Sequence, residues 1–369
     1  SGAQFSLIYS LLPLATIIAP FIGGQVADRY VASQKVVAGL QLAGGIFLIL
    51  IASTTSYGTM VWMMLVYCLL YAPTLALTNS IAFINLQNTE KEFGKIRVWG
   101  TIGWIAAGYL LTLWRVGAQS AGGLAFKGDM LLLAGVFSLL MGIQAFSLPH
   151  TPPRKEGVKP WAFLEALKMM KDRNFLIFII ISFVVATELM FYYILTAPFL
   201  TSAKIGVSST ILPWVMTIAQ VAEIFVLAFL LPTLISRIGI RKILVLGILA
   251  WPLRYIIFAI GQPSWLVIAS LALHGFCFVF FFAAAFIYVD TIAPRDIRHS
   301  AQSFITLVTY GVGNYIGSLF AGWVHDLFTK NEVTNWTNVF LVPCFLTVLC
   351  AIVFFIFFRE KEGAQKAQT

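Results

Sequence analysis

Eleven apolar runs dominate the chain, at 5–27, 35–54, 59–84, 96–115, 128–148, 175–201, 209–235, 243–261, 264–290, 300–323 and 337–358. Each is close to the roughly 20 residues a helix needs to cross the hydrocarbon of a bilayer. Backbone polar groups in hydrocarbon must be satisfied within the segment, so each run is predicted to be a helix. Only 11% of the 369 residues are charged, against about 25% in soluble domains, too few to cover an aqueous surface. The expected class is an all-α integral membrane protein with eleven helices.

A net charge of +9 would suit a nucleic-acid partner if the cations formed a stripe with interleaved aromatics. They sit in short loops instead. Assigning loops alternately to two sides puts nineteen of the 24 Lys and Arg on the side holding the loops after runs one, three, five, seven and nine and the C-terminal tail. The other side has Arg115, Lys127, Lys204 and Lys330, and Arg254 lies within run eight. The cation-rich side is therefore cytoplasmic, and no nucleic-acid partner is expected. The four cysteines, Cys68, Cys277, Cys344 and Cys350, all fall in apolar runs and read as small buried hydrophobes.

The longest polar interval, 149–174, opens with Pro149, Pro152 and Pro153 and continues through six cations. It divides the chain into an N-terminal bundle (1–148), a cytoplasmic linker (149–174), a C-terminal bundle (175–358) and a cytoplasmic tail (359–369). Eleven crossings leave Ser1 outside if the tail is inside. The simplest reading is that one further helix belongs before Ser1, giving two six-helix bundles with the first helix absent from this chain. A repeat supports the two halves. Gly23–Arg29 follows the first run and Leu231–Arg237 the seventh, each leading into more basic residues in what is expected to be a tight cytoplasmic loop. The first copy, from Gly24 through Asp28 and Arg29 to Lys35, has the form G-x-x-x-D-R plus a cation and resembles the loop signature of the major facilitator superfamily. The glycine permits close helix approach, and Asp28 with the cations is expected to act as a conformational latch.

An ionisable side chain in mid-span costs at least about 2.5 kcal/mol on insertion scales, so each one requires a reason. Of fifteen acids, only Glu188 and Glu223 fall near the centre of a run. They lie on consecutive antiparallel helices and are expected at similar depth, facing one cavity. Gln220 precedes Glu223 by three residues and shares its face. The competing reading makes each acid a neutral hydrogen-bonding group or a partner of Arg254; burial favours the protonated form and makes both candidates for proton coupling. In run four, Arg97, Thr101 and Trp104 share a face, either as a donor, hydroxyl and stacking surface for a solute or as interfacial anchors. In run nine, His274 and Phe278 are one turn apart, His274 being a pocket group or a packing residue. Tyr192 and Tyr193 follow Glu188 within one turn and their hydroxyls need partners. No nucleophile–base arrangement, phosphate loop or ligand set for a metal is present, so neither an enzyme nor a cofactor is expected.

Several stretches resemble the bacterial nucleoside:proton symporter family of the major facilitator superfamily. They are Tyr71-Ala72-Pro73-Thr74-Leu75, Asn79, Leu86-Gln87-Asn88, Ile96-Arg97-Val98-Trp99-Gly100-Thr101-Ile102-Gly103 and Leu148-Pro149-His150 in the first half. In the second half they are Glu188-Leu189, Gln220-Val221-Ala222-Glu223, Leu253-Arg254-Tyr255, Ser300-Ala301-Gln302 and Gly311-Val312-Gly313. The resemblance implies a monomeric inner-membrane carrier that takes up nucleosides with protons by alternating access. By matched motif it implies Arg97, Thr101, Gln220 and Glu223 as substrate contacts, Trp104 and Phe278 as aromatic ones and Glu188 as a cavity carboxyl; His274 and Tyr193 complete the candidate set. The chain departs from the pattern at Met190 and Tyr193, where relatives can place amides, and at Val279, where an acid can occur. A carrier for another amphipathic or sugar-like solute, and a membrane ligand sensor that does not transport, are the competing readings.

Overall fold

The structure is a computed structural model of the chain and describes residues 1–86, 89–122, 128–153, 166–294 and 297–359; the side chains at 20–29, 83, 89–95, 97, 298 and 299 lie outside those described. Among the described residues eleven long helices follow one another. In the first half they are α1 (Gly2–Arg29), α2 (Ser33–Ala52), α3 (Tyr57–Asn85), α4 (Thr89–Ser120) and α5 (Asp129–Ala145). In the second half they are α6 (Arg173–Thr201), α7 (Leu212–Ile238), α8 (Ile240–Ile260), α9 (Ser264–Ile292), α10 (Ser300–Leu327) and α11 (Trp336–Phe357). Nine of these are long and apolar enough to cross a membrane, and α5 is a shorter apolar helix. Each coincides with one apolar run. The largest difference is at α4, which begins at Thr89 rather than near 96, because helical turns that project beyond hydrocarbon are polar and leave no hydrophobic signature.

Contacts divide the chain into two compact units, Leu7–Pro160, and Trp161–Thr369 together with Ser1–Ser6. In the first unit α2 packs between α3 and α5. Gly45 and Gly135 let α2 and α5 meet backbone to backbone: a Cβ at Gly135 would stand 3.0 Å from the Gly45 carbonyl oxygen and 2.7 Å from Ile49 Cγ1. Without a hydrophobic driving force between helices in lipid, such close packing and buried hydrogen bonds hold bundles together. Gln41 of α2 supplies both: its Nε2 donates to Thr74 Oγ1 of α3 at 3.1 Å, and its Oε1 accepts from Ser138 Oγ of α5 at 2.7 Å. Thr151, buried just beyond α5, donates its N–H to Gln34 Oε1 at 3.0 Å and accepts the Ser33 N–H at 3.0 Å, fixing the start of α2. At the opposite end Arg115 grips Asp129 with two hydrogen bonds of 2.7 Å, the planar fork matching the carboxylate.

In the second unit α6 is the most buried span. Asp172 caps it, its Oδ1 accepting the N–H groups of Asn174 and Phe175 at 2.9 and 3.2 Å, which satisfies donors that a helix start leaves free. An aromatic cluster of Phe199, Phe258, Trp336 and Phe340 ties α6, α8 and α11. Lys204, in the loop after α6, donates to the Ala259 carbonyl at 3.0 Å and Thr337 Oγ1 at 3.1 Å, closing the ends of α8 and α11. Three helices widen into π-helical turns, α7 at Val226–Leu230, α9 at Phe278–Ala283 and α10 at Leu307–Gly313. Such turns change the side-chain register and recur at functional sites.

The latch residues require a correction. Gly24, Asp28 and Arg29 lie in the last turns of α1 rather than in a loop, and their side chains are outside those described. The matching copy, Leu231–Ile238, is also helical, and the chain turns at Gly239 with φ +81°. A small-residue approach followed by cations is compatible with continuing a helix to its end, so the turn itself is shorter than the motif.

Substituting Gly135→Val is expected to destabilise the first unit by about 1–3 kcal/mol through overpacking, read as a lower Tm in detergent. Gly39→Ala, at a position of α2 with nothing within 4 Å of an added Cβ, serves as the control that leaves Tm unchanged or raised.

Candidate functional site

In the second unit ionisable and polar side chains collect inside the bundle. Glu188 of α6, Arg254 of α8 and His274 of α9 are each 0% exposed, and Gln220 of α7 is buried. Burial of this kind demands compensation, because an unpartnered charge in a sealed apolar site costs several kcal/mol.

Arg254 finds part of its compensation in aromatic faces. Its guanidinium carbon lies 4.3 Å from the ring centroid of Tyr192, 4.5 Å from that of Trp251 and 5.3 Å from that of Tyr255. The negative faces of these rings attract the cation, more strongly where water is excluded. Arg254 Nη1 meets His274 Nδ1 at 3.3 Å. Guanidinium nitrogens only donate, so Nδ1 is the acceptor and the imidazole is the neutral Nε2–H tautomer. The Tyr255 hydroxyl donates to the main-chain carbonyl of Glu188 at 2.5 Å. Both carboxyl oxygens of Glu188, and Nε and Nη2 of Arg254, are buried with no hydrogen-bond partner among the described residues. A group left in that condition calls for an explanation.

His274 is also the centre of a ring stack. Tyr192 lies parallel to it with centroids 4.4 Å apart, Tyr193 meets it edge-on at 6.0 Å, and Phe278 follows at 5.6 Å. Behind this stack α9 and α7 touch directly. A Cβ added to Gly275 would stand 2.7 Å from the Ala222 carbonyl oxygen and 2.9 Å from the Glu223 backbone N. The small residue beside His274 therefore sets Glu223 against the ring-bearing turn of α9. The Glu223 side chain is half-buried and within Coulombic range of Tyr192 and Tyr193.

Of the residues singled out in the sequence, Tyr193, His274 and Phe278 are thus joined by ring contacts, with Glu223 beside them and Gln220 one turn earlier on α7. Glu188 lies in the same bundle but makes no ion pair with Arg254 among the described residues. Thr101 is half-buried and Trp104 is 49% exposed, both on α4 of the other unit. Arg97 is on α4 too, with its side chain outside those described. Tyr192, Trp251 and Tyr255, the cage around Arg254, were not legible as a group. The available signal was a lone cation in the middle of an apolar run with aromatics three residues before and one after it. Among the described residues no cluster of three His, Cys, Asp or Glu can hold a metal.

Known proteins resemble this chain along its whole length. It is 35% identical to YegT of Escherichia coli K12, a protein named as a nucleoside transporter, over 98% of this chain and 87% of the relative. It is 30% identical to the nucleoside permease NupG of the same organism, over 98% and 88%. The crystal structure of NupG superposes with a TM-score of 0.84 at 28% identity, covering 98% of this chain and 91% of that one. A D-xylose-proton symporter superposes with a TM-score of 0.71 at 16% identity, a likeness of fold alone. The fold is that of the major facilitator carriers. The sequence profile described as Nucleoside H+ symporter matches residues 1–363, and the chain belongs to that family.

Proposed function

We propose that the protein is a nucleoside transporter of the bacterial inner membrane that takes up its substrate with protons by alternating access, as a monomer with its C-terminal tail in the cytoplasm. The names of its relatives supply the substrate class, and Glu223 is the observation that carries the reading onto this chain. It is a half-buried carboxylate in the middle of an apolar span, beside rings that offer flat faces. A nucleoside presents hydroxyls on one part and an aromatic base on the other. Carboxylate and amide acceptors at Glu223 and Gln220 match the ribose hydroxyls or a base edge, while Tyr193 and Phe278 match the base, with His274, itself sealed, packed between them as their support. Arg97, Thr101 and Trp104 are proposed as further contacts from α4, Glu188 and Glu223 as proton carriers, and Gly24, Asp28 and Arg29 as the latch. The segment 149–174 is proposed as the linker between two bundles.

Counterflow of radiolabelled uridine in proteoliposomes tests this directly. The protein is expected to exchange uridine, and Glu223→Gln to reduce exchange roughly 10- to 150-fold, the worth of a hydrogen bond to a charged group. Transport of another solute with indifference to nucleosides, or saturable binding without exchange, would overturn the proposal. Phe278→Ala is expected to raise the KM for uridine about tenfold through lost stacking with little change in Tm. An unchanged KM removes Phe278 from the site.

A further inference from the structure

Where α6 begins and α11 ends, the chain forms a cleft of about 330 Å³ lined by Asp172, Arg173, Asn174, Ile356, Phe357 and Arg359. Both helices are apolar spans, with Arg173 the first residue of one and Phe357 the last of the other. The cleft therefore lies where hydrocarbon gives way to headgroups and water, on the face that the loop charges mark as cytoplasmic. Its two cations are held there by more than chance. Asn174 uses both ends of its amide on the backbone of Arg359: Nδ2 donates to the carbonyl at 2.9 Å and Oδ1 accepts the N–H at 3.2 Å. The residue before it, Phe358, is buried, with its ring stacked on Phe354 at 4.2 Å and edge-on to Tyr288 at 5.4 Å. The end of α11 is thus pinned to the start of α6, and Arg359 is brought to the same cleft as Arg173, whose guanidinium carbon lies 5.7 Å from the centroid of the Phe357 ring.

Neither guanidinium has a carboxylate partner among the described residues. Asp172, the one acid among the residues that line the cleft, already accepts the N–H groups of Asn174 and Phe175 through Oδ1. Arg241 of α8 brings a third positive charge to the same end of α11, its Nη2 donating to the Phe355 carbonyl at 3.1 Å. Like charges gathered in this way attract an anion from outside. The remaining wall is apolar. Ile356 and Phe357 are exposed, and Phe345, Leu349, Ile352 and Ile356 form a stripe of exposed side chains spaced four, three and four residues apart. That spacing puts them on one face of α11, leading from the cleft into the span.

We propose that the cleft binds the headgroup phosphate of an anionic phospholipid, such as phosphatidylglycerol, with an acyl chain lying along the exposed face of α11. Arg173 and Arg359 donate to the two non-bridging phosphate oxygens, for which the guanidinium fork is suited. Asn174 is a positioning residue that holds Arg359 in place through its backbone. A zwitterionic headgroup brings its own cation toward two arginines, and the Asp172 carboxylate that could meet it is committed to the start of α6. Basic pockets at the cytoplasmic ends of spans are suited to lipid phosphates for these reasons. The site requires only that α6 and α11 cross a bilayer, so it stands independently of the transport reading.

Native mass spectrometry of the purified full chain tests this, with phosphatidylglycerol, phosphatidylethanolamine and phosphatidylcholine of the same acyl chains added in equal amounts and Tm measured alongside. The wild-type protein is expected to retain one phosphatidylglycerol in preference to both zwitterionic lipids and to gain Tm from it. Arg173→Gln and Arg359→Gln should each weaken that binding about fivefold, and together about 25-fold. Lys330→Gln, at an exposed cation in the hairpin before α11, should leave it unchanged. Asn174→Ala keeps every charge and should weaken binding as much as loss of the Arg359 charge does, because the tether is gone. An unchanged affinity in Asn174→Ala reduces the arginines to diffuse surface charge and overturns the site. Should that variant fail to fold, Arg359→Lys, which keeps the charge but not the fork, decides: wild-type affinity counts against the site and a weaker one supports it. Equal retention of the three lipids, a preference that survives loss of both arginines, or inorganic phosphate held as tightly as the lipid would each overturn the proposal.

Discussion

The cost of a charge in hydrocarbon is the constraint from which this structure is best understood. Insertion scales put it at about 2.5–3.5 kcal/mol per ionisable group in mid-span, and the chain keeps such groups few. Where they remain, in the second unit, the surroundings are built around them. Three aromatic faces and an imidazole nitrogen meet Arg254. A tyrosine hydroxyl fixes the main chain at Glu188, and a glycine admits α9 against the backbone at Glu223. The first unit has a neutral counterpart in Gln41, whose amide bonds both Thr74 and Ser138. Each case follows one rule: a polar atom away from water is retained only with a partner or a task.

Helix number, order and approximate ends were readable from hydropathy because hydrocarbon permits only one local solution for an apolar run of this length. The reading was weakest at α4, where Thr89–Lys95 continues the helix in polar sequence, and at Gly23–Arg29, where a motif taken for a loop is helical to its last residue. Hydropathy reports the solvent around a segment, and a helix that extends past the hydrocarbon gives it no sign.

The candidate site was legible in part and for a related reason. Glu188 and Glu223 stand out because acids are rare in such runs, and the one-turn spacing of His274 and Phe278 survives as a ring contact. What the sequence does not carry is helix rotation. Tyr192 and Tyr193 are adjacent, yet one is sealed over Arg254 and the other is 39% exposed. Trp251 reaches the same cation from one turn away. Glycines that set these rotations, such as Gly275, look like any other small residue until the neighbouring backbone is placed. The π-helical turn that begins at Phe278 shifts the register further.

The account stands on the claim that the polar interior of the second unit serves a nucleoside rather than the bundle's own packing. Titration calorimetry of uridine into the purified protein reads this without any transport assay. Saturable binding that weakens roughly 10- to 150-fold in Glu223→Gln, with Tm preserved, is the predicted result. Folded protein that takes up no uridine, or binds it equally well without the Glu223 carboxylate, would contradict the claim.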